Sequence, residues 1–499
     1  MSTKTDQKHS HAHMFRKGVE NGHRRREETT IRIRKEKRAE RLNKRRMKPT
    51  SPVVSNMNID VTLLFTGSDA QKLDTLSKVR KVLSIDNDPP IGKVVESNLL
   101  PVIVSFLQRH DNYQLQFEAA WTLTNVASGD TKYTQAVVDA NAVPLLIALL
   151  DSPYEDVKEQ TVWALGNIAG DCTAMRDLTI QNGVVDAILR NLNPKQQRIG
   201  TLRNMAWTLS NICRGKPSAP SYVVYQVIPA LTALLQNDDD DVISDTLWGL
   251  CYITDGSNEQ VDAVVSTGAC MRIVELLSHS NHTIQTPALR TVGNIVTGSD
   301  QATQTIIDCG AITILNNLLH HQKKNIKKET VWTLSNMCAG TSTQIQSVIS
   351  AGVIPQLISM MQNEEFSIRK EATWAISNAT SGGTDPQIEF LVTSGCCSAL
   401  TDMLDIHDTK IIGVVLEAFE NILKSGRHMR NTRGLPSNPY ADLLETSGAL
   451  DKLEELQSHE FEEIYARAVR ILERFFSTET VEDMAPPAAA FDFSSGFTS

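Results

Sequence analysis

Long apolar runs and secretion signals are absent from this sequence of 499 residues. No stretch of about 18 consecutive apolar residues is present, which is the length a helix needs to cross a bilayer. The amino terminus is charged and carries no apolar leader segment. The composition therefore predicts a soluble intracellular chain that does not insert into membranes.

Motifs for catalysis and metal binding are also missing. The sequence has no phosphate-binding loop, no nucleophile elbow, and no His placed near a candidate nucleophile within its repeated phrases. Its eight cysteines are scattered without a CxxC pair or a matching His spacing, so most are expected to be buried reduced thiols. The His-rich segment at 9–13 is more typical of a solvated tail than of a metal site. We expect no enzyme activity, no cofactor and no metal site.

Aromatic residues make up only 5% of the chain, yet its six tryptophans follow one rule. Each lies in a phrase such as "QTVWALGNIAGD" or "ETVWTLSNMCAG", and successive tryptophans are 42, 44, 41, 84 and 42 residues apart. The gap of 84 contains one more copy, "PALRTVGNIVTG", in which Arg290 takes the aromatic position and Asn294 keeps the amide. A weaker copy places Glu417 and Asn421 in these positions. The chain therefore repeats a unit of about 42 residues throughout.

A second phrase keeps the same period, as in "AVPLLIALL" at Pro144 and "VIPALTALL" at Pro229, and predicts helices that begin at a proline or a capping residue. A period of about 40 to 47 residues with two or three helices per unit is typical of armadillo and HEAT arrays. Neither helix set could bury its apolar face alone, so neighbouring units must stack. The sequence predicts one elongated all-α solenoid from about 70 to 476.

Charge is divided unevenly along the chain. Residues 1–50 contain 17 Lys and Arg against 6 Asp and Glu, whereas the remaining residues contain 32 against 52. A basic tail of this kind is often a nucleic-acid-binding or solvated segment. Here an acidic array is tethered to it at high effective concentration, so the nearest polyanion is the protein itself.

A helix is predicted within this basic arm over 29–47, "TTIRIRKEKRAERLNKRRM", because Thr29 or Thr30 can cap it and no Gly or Pro interrupts it. Such a helix has little apolar content and is marginal in water when isolated. We expect it to order on an acidic partner.

The repeated tryptophans and asparagines predict a binding groove. The third helix of each stacked unit lines the concave surface, so equivalent positions form ladders about 10 Å apart. Trp163 and Asn167 share one helix face, whereas Val162, Leu165 and Ile168 lie on the other. Each Asn amide offers a donor and an acceptor to the main chain of an extended peptide. Two neighbouring indoles form a flat slot for a Lys or Arg stem, whose charged head gains about 0.5 to 2 kcal/mol from the ring.

Acidic residues near these slots can meet the charged heads, so the groove is expected to bind basic peptides; these acids are Asp171, Asp245, Glu329 and Glu371. A purely structural interpretation is the alternative: tryptophan as core, and asparagine as a buried ladder that bonds the neighbouring helix. It leaves the complementary basic arm unexplained. The basic segment 320–328 has no functional account.

At this point the phrases "WTLTNVASG", "WALGNIAGD", "WTLSNICRG", "LRTVGNIVTG" and "NPYADLLETSGALDKLEELQSHEFEEIY", with an arm ending "LNKRRM", resemble the importin alpha (karyopherin alpha) family over about 14–476. The resemblance implies a right-handed superhelical solenoid of about ten armadillo repeats, the first a degenerate copy around "LSKVRKVLS". It implies a tail at 1–13, an importin-beta-binding arm at 14–50, a flexible linker at 51–70, an array at 71–476 and a second tail at 477–499.

The resemblance also implies two sites for the basic nuclear localisation signals of cargo, which match the mono- and bipartite forms of these signals. The expected major site comprises Trp121, Asn125, Gly129, Thr134, Gln160, Trp163, Asn167, Asp171, Trp207, Asn211 and Asp245. The expected minor site comprises Arg290, Asn294, Glu329, Trp332, Asn336, Glu371, Trp374 and Asn378. Between them, Tyr252 in place of Asn and Arg290 in place of Trp interrupt the ladder.

The resemblance implies a nuclear import adaptor that shuttles between cytoplasm and nucleus. Its partners would be importin beta, cargo, an export carrier of the CAS type at the carboxyl-terminal repeats, and nucleoporins, without nucleic acid or membrane. The cluster Lys44, Arg45 and Arg46 mimics cargo, so we expect the arm to fold back and inhibit the groove. A catenin-like scaffold for signalling or adhesion partners is the alternative, although such a groove would normally present Lys and Arg ladders to acidic segments.

Overall fold

The computed structural model describes residues 44–45, 59–85 and 88–477. Several predicted segments lie outside these residues. They are the tail at 1–13, most of the linker and nearly all of the tail at 477–499. The predicted helix over 29–47, which includes Arg46, also lies outside them, with the exception of Lys44 and Arg45. The predictions made for the residues outside the described ranges therefore stay predictions. At Lys44 and Arg45 the predicted helix is wrong: neither residue is helical, because the Arg45 main chain bonds Asn167 and Trp163 instead of its own helix.

All regular structure within the described residues is helical, and these residues contain no β-strand. The described residues divide into two compact units, one that ends at Thr333 and one that begins at Leu334. The prediction of an all-α armadillo array is confirmed.

The first unit contains eighteen complete α-helices among its described residues. They are α1 (Leu63–Thr66), α2 (Asp69–Leu83), α3 (Ile91–Glu96), α4 (Leu100–Phe106), α5 (Tyr113–Ala127), α6 (Thr131–Asp139), α7 (Ala142–Ala148), α8 (Glu155–Asp171), α9 (Thr173–Gln181), α10 (Val184–Asn191), α11 (Ile199–Cys213), α12 (Ser221–Leu234), α13 (Asp240–Thr254), α14 (Asn258–Ser266), α15 (Cys270–Glu275), α16 (His282–Ile295), α17 (Asp300–Asp308) and α18 (Ala311–Leu318). Short 3₁₀ turns follow α7 and α15 at Leu149–Asp151 and Leu276–Ser278.

Helix α19 (Lys324–Met337) contains the boundary between the units. The second unit continues with α20 (Ser342–Ser350), α21 (Val353–Asn363), α22 (Phe366–Gly382), α23 (Asp385–Thr393), α24 (Cys396–Met403), α25 (Thr409–Arg433), α26 (Pro439–Thr446), α27 (Ala449–Glu455) and α28 (Glu462–Phe475), with a 3₁₀ turn at Leu456–Ser458 before α28.

Local sequence sets the helix ends. The Asn112 side chain caps α5 by accepting a hydrogen bond from the Leu115 N–H, which satisfies a donor that the first turn leaves free. The turn between the first two helices of a repeat requires a positive φ, which is 81° at Gly310 and 60° at Asn141. Glycine, and to a lesser degree Asn, adopt this conformation at little cost, so the second helix can fold back on the first.

Successive third helices pack side by side in the first unit. Helix α5 packs on α8, α8 on α11, α11 on α13 and α13 on α16, while α2 packs on α5 from the amino-terminal side. Val162, Leu165 and Ile168 of α8 are fully buried in this stack. Burying each such side chain contributes about 1.5 to 3 kcal/mol, so these third helices of the first unit are held together by a continuous apolar layer.

The predicted helix start at Pro229 is wrong. Helix α12 begins at Ser221, and Pro229 lies inside it. The preceding segment already has an apolar face, with Val223, Val224 and Val227 buried. Pro229 is on the exposed side of α12, where a backbone carbonyl left without its helical N–H partner can bond to water.

No single helix between residues 59 and 477, leaving out 86–87, is both long and apolar enough to span a bilayer. The bent pair Thr131–Asp139 and Ala142–Asp151, with 75° between its halves, reaches that length and hydropathy only when the two halves are joined.

Candidate peptide-binding groove

The aromatic and amide positions of α8 lie on the face opposite its buried aliphatic residues, as predicted. Trp163 is half-buried and Asn167 is buried. The side chain of Asn167 nevertheless has two roles. Its Nδ2 donates to the Thr124 carbonyl of α5 at 2.9 Å, so the amide is anchored to the neighbouring helix as the structural interpretation expected.

The same anchoring bond recurs along the ladder of the first unit. Asn211 Nδ2 donates to the Gly166 carbonyl at 3.0 Å, and Asn294 Nδ2 donates to the Cys251 carbonyl at 3.0 Å. Each bond fixes which way the amide faces, because its nitrogen always points to the preceding helix. The row of amides therefore presents its oxygens in one common orientation.

Arg45 of the basic arm shows what these amides can hold. Its backbone N–H donates to Asn167 Oδ1 at 2.8 Å, and its carbonyl accepts from Asn167 Nδ2 at 2.9 Å and from Trp163 Nε1 at 2.8 Å. Trp163 and Asn167 thus bond both the N–H and the carbonyl of one main-chain residue, an arrangement called the clamp below. Because only backbone atoms are read, this clamp accepts any side chain.

The side chain of Lys44 enters a polar pocket beside α8. Its Nζ donates to the Gly129 carbonyl at 2.6 Å and to Thr134 Oγ1 at 2.7 Å, and it forms an ion pair with Asp171. Asp171 is buried, with 3% of its side chain exposed. A buried carboxylate is stabilised by a cation whose remaining protons are also satisfied, so this pocket matches an ammonium group with three donors.

The guanidinium of Arg45 meets a different pair of residues. Its Nη2 donates to both carboxylate oxygens of Asp245, at 3.0 and 2.9 Å, and its carbon lies 4.8 Å from the ring centre of Trp207. Asp245 is buried, and Trp207 has no exposed surface. A planar cation gains both from the ring face and from the charged acceptors, so this position favours arginine.

Other expected major-site residues occupy the same row. Trp121 and Asn125 repeat the clamp of Trp163 and Asn167 one helix earlier. Trp121 Nε1 and Asn125 Oδ1 are buried and have no hydrogen-bond partner among the described residues. Gln160 is buried on α8, and its own backbone carbonyl accepts a hydrogen bond from the Thr124 hydroxyl at 3.2 Å.

The expected interruption is occupied by an internal ion pair. Arg290 Nε and Nη2 both donate to Glu329 Oε1 at 3.0 Å, and the guanidinium lies 5.4 Å from the Trp248 ring centre. Burial alone would lower the pKa of Arg290, but the Glu329 carboxylate raises it above its ordinary value. Tyr252 tilts against Trp248 with ring centres 5.8 Å apart. These residues fill the ladder with side chains of the protein itself.

The remaining minor-site residues fall in both units, and each unit is described by itself. Trp332 and Glu329 belong to the first unit. In the second unit, Asn378 Nδ2 donates to the Ser335 carbonyl at 3.0 Å, which repeats the anchoring bond of the first unit. Asn336, Glu371 and Asn378 are buried, and Trp374 is half-buried.

Sequence reasoning missed two kinds of groove residue. A Cβ at Gly166 would lie 2.4 Å from Trp207 Cζ3, and a Cβ at Gly293 would lie 2.2 Å from Trp332 Cζ3. The signal was present, since these are glycines at a position where the other copies carry Thr, Ser, Cys or, in the weaker copy, Glu. The second kind is Arg80 of α2, which lies over the Trp121 ring.

No group of three or more potential metal ligands occurs in the part of the chain that the structure describes.

Comparisons with known proteins agree with this geometry. A family model described as an importin beta binding domain matches residues 12–89, and an armadillo/beta-catenin-like repeat matches seven segments between 87 and 381. An atypical armadillo repeat matches residues 438–488. The importin beta binding match implies that this chain binds importin beta, and the armadillo repeats imply that it binds cargo.

Full-length relatives are importin alpha subunits. Importin subunit alpha-2 of Arabidopsis thaliana is 46% identical over 502 residues, covering 96% of this chain and 94% of its own length. Importin subunit alpha-B of Dictyostelium discoideum is 47% identical over 486 residues, covering 94% of each chain. The crystal structure of an engineered protein matches with a TM-score of 0.73 at 25% identity, over 83% of this chain and 97% of that chain.

These relatives and the importin beta binding match favour an import adaptor over a catenin-like scaffold. The chain therefore belongs to the importin alpha family of non-enzymatic nuclear import adaptors.

Proposed function

We propose that the groove along α5, α8, α11 and α13 binds the Lys- and Arg-rich nuclear localisation signals of cargo in extended form. One observation carries the proposal: the protein's own Lys44–Arg45 segment lies in this groove, with its main chain clamped and both cations paired. The residues proposed as the major site are Trp121, Asn125, Gly129, Thr134, Gln160, Trp163, Asn167, Asp171, Trp207, Asn211 and Asp245.

Affinity and selectivity come from different atoms. The clamp of Trp163 and Asn167 supplies three main-chain hydrogen bonds, each worth about 0.5 to 1.5 kcal/mol net, whatever the peptide sequence. Asp171 and Asp245 select positive charge, because a buried carboxylate without a cation is costly. An acidic peptide would keep the clamp but bring like charges together, so it is rejected.

A second stretch is proposed to bind the smaller cluster of a bipartite signal. It comprises Arg290, Asn294, Glu329, Trp332, Asn336, Glu371, Trp374 and Asn378. Support for a break before it comes from the Arg290–Glu329 pair, which uses the aromatic position and the neighbouring carboxylate internally. A continuous basic segment would find this indole face and this carboxylate already occupied, whereas two clusters joined by a linker would pass over them.

The arm is proposed to compete with cargo for the groove. Residues 46–58 connect Arg45 to the array, and a short tether presents its cluster at roughly millimolar effective concentration. Even a weak cluster becomes an effective competitor at that concentration. When importin beta binds the arm, proposed as residues 14–50, the cluster is withdrawn and the groove becomes available to cargo.

The full chain is proposed to cycle between cytoplasm and nucleus. An export carrier of the CAS type would return it by binding the carboxyl-terminal repeats, and nucleoporins would be transient partners. The exposed aromatic side chains of Phe461 and Tyr465, at α28, offer a contact surface in that region. A pull-down of the export carrier with the full chain and with a Phe461→Ser, Tyr465→Ser variant tests this point. Equal recovery of carrier would argue against it.

A peptide titration tests the main proposal. The full chain would be titrated with a lysine- and arginine-rich peptide and with a matched peptide in which Asp and Glu replace the cations. Binding of the basic peptide alone is expected. Preferential binding of the acidic peptide would instead indicate a scaffold of the catenin type. In cells, deleting residues 14–47 should stop nuclear accumulation of a reporter that carries a basic signal.

A further inference from the structure

The ladder of aromatic positions begins with an arginine. Arg80 of α2 lies 41 residues before Trp121, and Ser84 lies 41 residues before Asn125. The two pairs also meet in space. Ser84 Oγ accepts a hydrogen bond from Asn125 Nδ2 at 2.9 Å, and the Arg80 guanidinium carbon lies 3.9 Å from the Trp121 ring centre. Arg80 and Ser84 therefore stand where later third helices have Trp and Asn.

Arg80 has the same kinds of partner that a bound peptide cation would need. Its Nε donates to Glu118 Oε2 at 2.7 Å and its Nη2 to Glu118 Oε1 at 3.1 Å. Both residues are buried, at 9% and 8% exposure. Glu118 lies three residues before Trp121, as Asp245 does before Trp248 and Glu329 before Trp332. The carboxylates at this position are the ones that accept guanidinium groups in the groove.

Three arginines in the first unit thus have the same kinds of partner, an indole face and a carboxylate three residues before a tryptophan, although only Arg80 takes both from one helix. Arg45 of the arm uses Trp207 and Asp245. Arg290 uses Trp248 and Glu329, and Arg80 uses Trp121 and Glu118. The last two occupy aromatic positions of the ladder and flank its run of four tryptophans, Trp121, Trp163, Trp207 and Trp248.

We propose that Arg80 is a specificity-determining residue that ends the row of cation positions at Trp121, as Arg290 ends it at Trp248. This inference rests on the proposed function. The indole face and the carboxylate next to Trp121 are already used by Arg80, so a peptide residue that reaches this end finds no partner for a positive charge. The length of the basic cluster, and hence its register in the groove, is fixed from both ends.

Removing Arg80 should create a new cation position. The Trp121 face becomes open, and Glu118 is left as a buried carboxylate that a guest cation can satisfy. The affinity for a peptide with four basic residues should be nearly unchanged by this substitution, whereas the affinity for a peptide with a fifth residue, an arginine, should rise. The gain should require Glu118, because the carboxylate supplies the charge that attracts the guest.

The test is a set of titrations on the full chain, with Lys44→Ala and Arg45→Ala in every variant so that the arm does not compete. Three peptides are compared: a four-residue basic cluster flanked by alanine, and the same cluster with a fifth arginine at one end or at the other. In the protein that keeps Arg80, either extra arginine should raise the peptide affinity by less than about twofold. In Arg80→Ala, one of the two extra arginines should raise the peptide affinity by about fivefold or more.

Matched variants separate specificity from stability. Lys81→Ala removes a charge from the exposed side of the same helix, and Arg80→Lys keeps a cation on Glu118; both should behave like the parent. In Arg80→Ala combined with Glu118→Gln, the fifth arginine should no longer raise the peptide affinity. Arg80→Gln, checked by circular dichroism, serves as a second opening variant if Arg80→Ala melts below the assay temperature. A merely structural role for Arg80 would weaken all three peptides alike.

Two failures are distinguishable. If the four-residue peptide does not bind the parent, the proposed function is wrong. If it binds every variant equally and neither folded opening variant gains from a fifth arginine at either end, Arg80 does not limit the row and the inference is overturned.

Discussion

The indole of Trp207 on α11 lies against the backbone of Gly166 on α8, which is the third helix of the preceding repeat. A Cβ on Gly166 would come within 2.4 Å of Trp207 Cζ3, far inside contact distance. Trp332 lies in the same way on Gly293. Each proposed site therefore contains one indole that is recessed because the preceding helix carries no side chain there.

Gly166→Ala should displace Trp207 and weaken binding of the arginine that lies on it. We expect roughly tenfold lower affinity for a basic peptide, because the added methyl group cannot be accommodated without moving the ring, and overpacking costs about 1 to 3 kcal/mol. Calorimetric titration gives the affinity, and near-ultraviolet circular dichroism reports the displaced indole. Gly293→Ala should have the matching effect on a peptide confined to the second stretch.

Gly413 of α25 supplies the control for this substitution. A Cβ there would meet nothing within 4 Å, so Gly413→Ala should leave binding unchanged and stabilise the helix by about 0.5 to 1 kcal/mol. Equal effects of Gly166→Ala and Gly413→Ala on peptide affinity would show that the recess does not matter.

The fold and most of the groove could be predicted from the sequence because both depend on periodicity. The 42-residue spacing of Trp163 and its equivalents determines which positions meet when units stack, and Val162, Leu165 and Ile168 fall on the buried face as their helical spacing requires. Asp171 and Asp245 pair with the two cations of the arm, and their role in binding cargo stays a prediction. What a repeat shares with its neighbours can be derived from a single chain.

The rest depends on contacts at single positions. The sequence predicts a helix start at Pro229, since proline commonly begins helices, but the apolar face of the preceding residues extends α12 backwards to Ser221. Gly166 matters only because of Trp207, and Arg80 only because of Trp121 and Glu118. Such pairs lie about 40 residues apart, and their significance follows from the distance between side chains, which the repeat pattern does not specify.

Asn167 should be required both for binding and for part of the stability. It clamps the main chain of Arg45 and also bonds the Thr124 carbonyl. Trp163→Ala with Asn167→Ala should therefore abolish most peptide affinity and lower the free energy of unfolding by about 1 to 3 kcal/mol, since the Thr124 carbonyl loses a buried partner. Urea denaturation, together with titration at a temperature where both proteins are folded, separates the two effects.

Trp163→Phe is the milder companion variant. It keeps an aromatic ring but removes the Nε1 donor that bonds the Arg45 carbonyl at 2.8 Å. We expect a loss of about threefold to tenfold in affinity, equivalent to one net hydrogen bond of roughly 0.5 to 1.5 kcal/mol, and no change in unfolding. Unaltered affinity would mean that the indole acts only through its ring.

Asp245 and Asp171 should differ in the cation they select. Asp245 receives the Arg45 guanidinium through both oxygens, beside the Trp207 ring. Asp245→Asn should cost a peptide with arginine at that position about tenfold or more, and a peptide with lysine less, because a point charge cannot use the planar arrangement. Asp171→Asn should weaken both peptides equally. Titrating four protein–peptide pairs forms the cycle, and an unchanged Arg-to-Lys ratio in Asp245→Asn would contradict the assignment.

Binding of importin beta and of cargo should be positively coupled through the arm. Lys44 and Arg45 bond to residues of the proposed major site, which are Gly129, Thr134, Asp171, Asn167 and Asp245. A basic peptide must therefore displace Lys44 and Arg45 before it can bind there. Importin beta, which is expected to take the arm, removes the competitor in advance. The coupling is reciprocal, and each ligand must raise the affinity for the other by the same factor.

Replacing Lys44, Arg45 and Arg46 by Ala isolates this effect. Without importin beta, the variant should bind a basic peptide about tenfold or more tightly than the wild type, as expected when a tethered competitor at roughly millimolar concentration is removed. Importin beta should then raise the wild-type affinity to that of the variant, while leaving the peptide affinity of the variant unchanged. Lys48→Ala, a charge change just beyond the cluster, serves as the control and should behave like wild type. If wild type and variant bind the peptide equally without importin beta, the arm does not compete for the groove in solution, and its role is reduced to tethering the carrier.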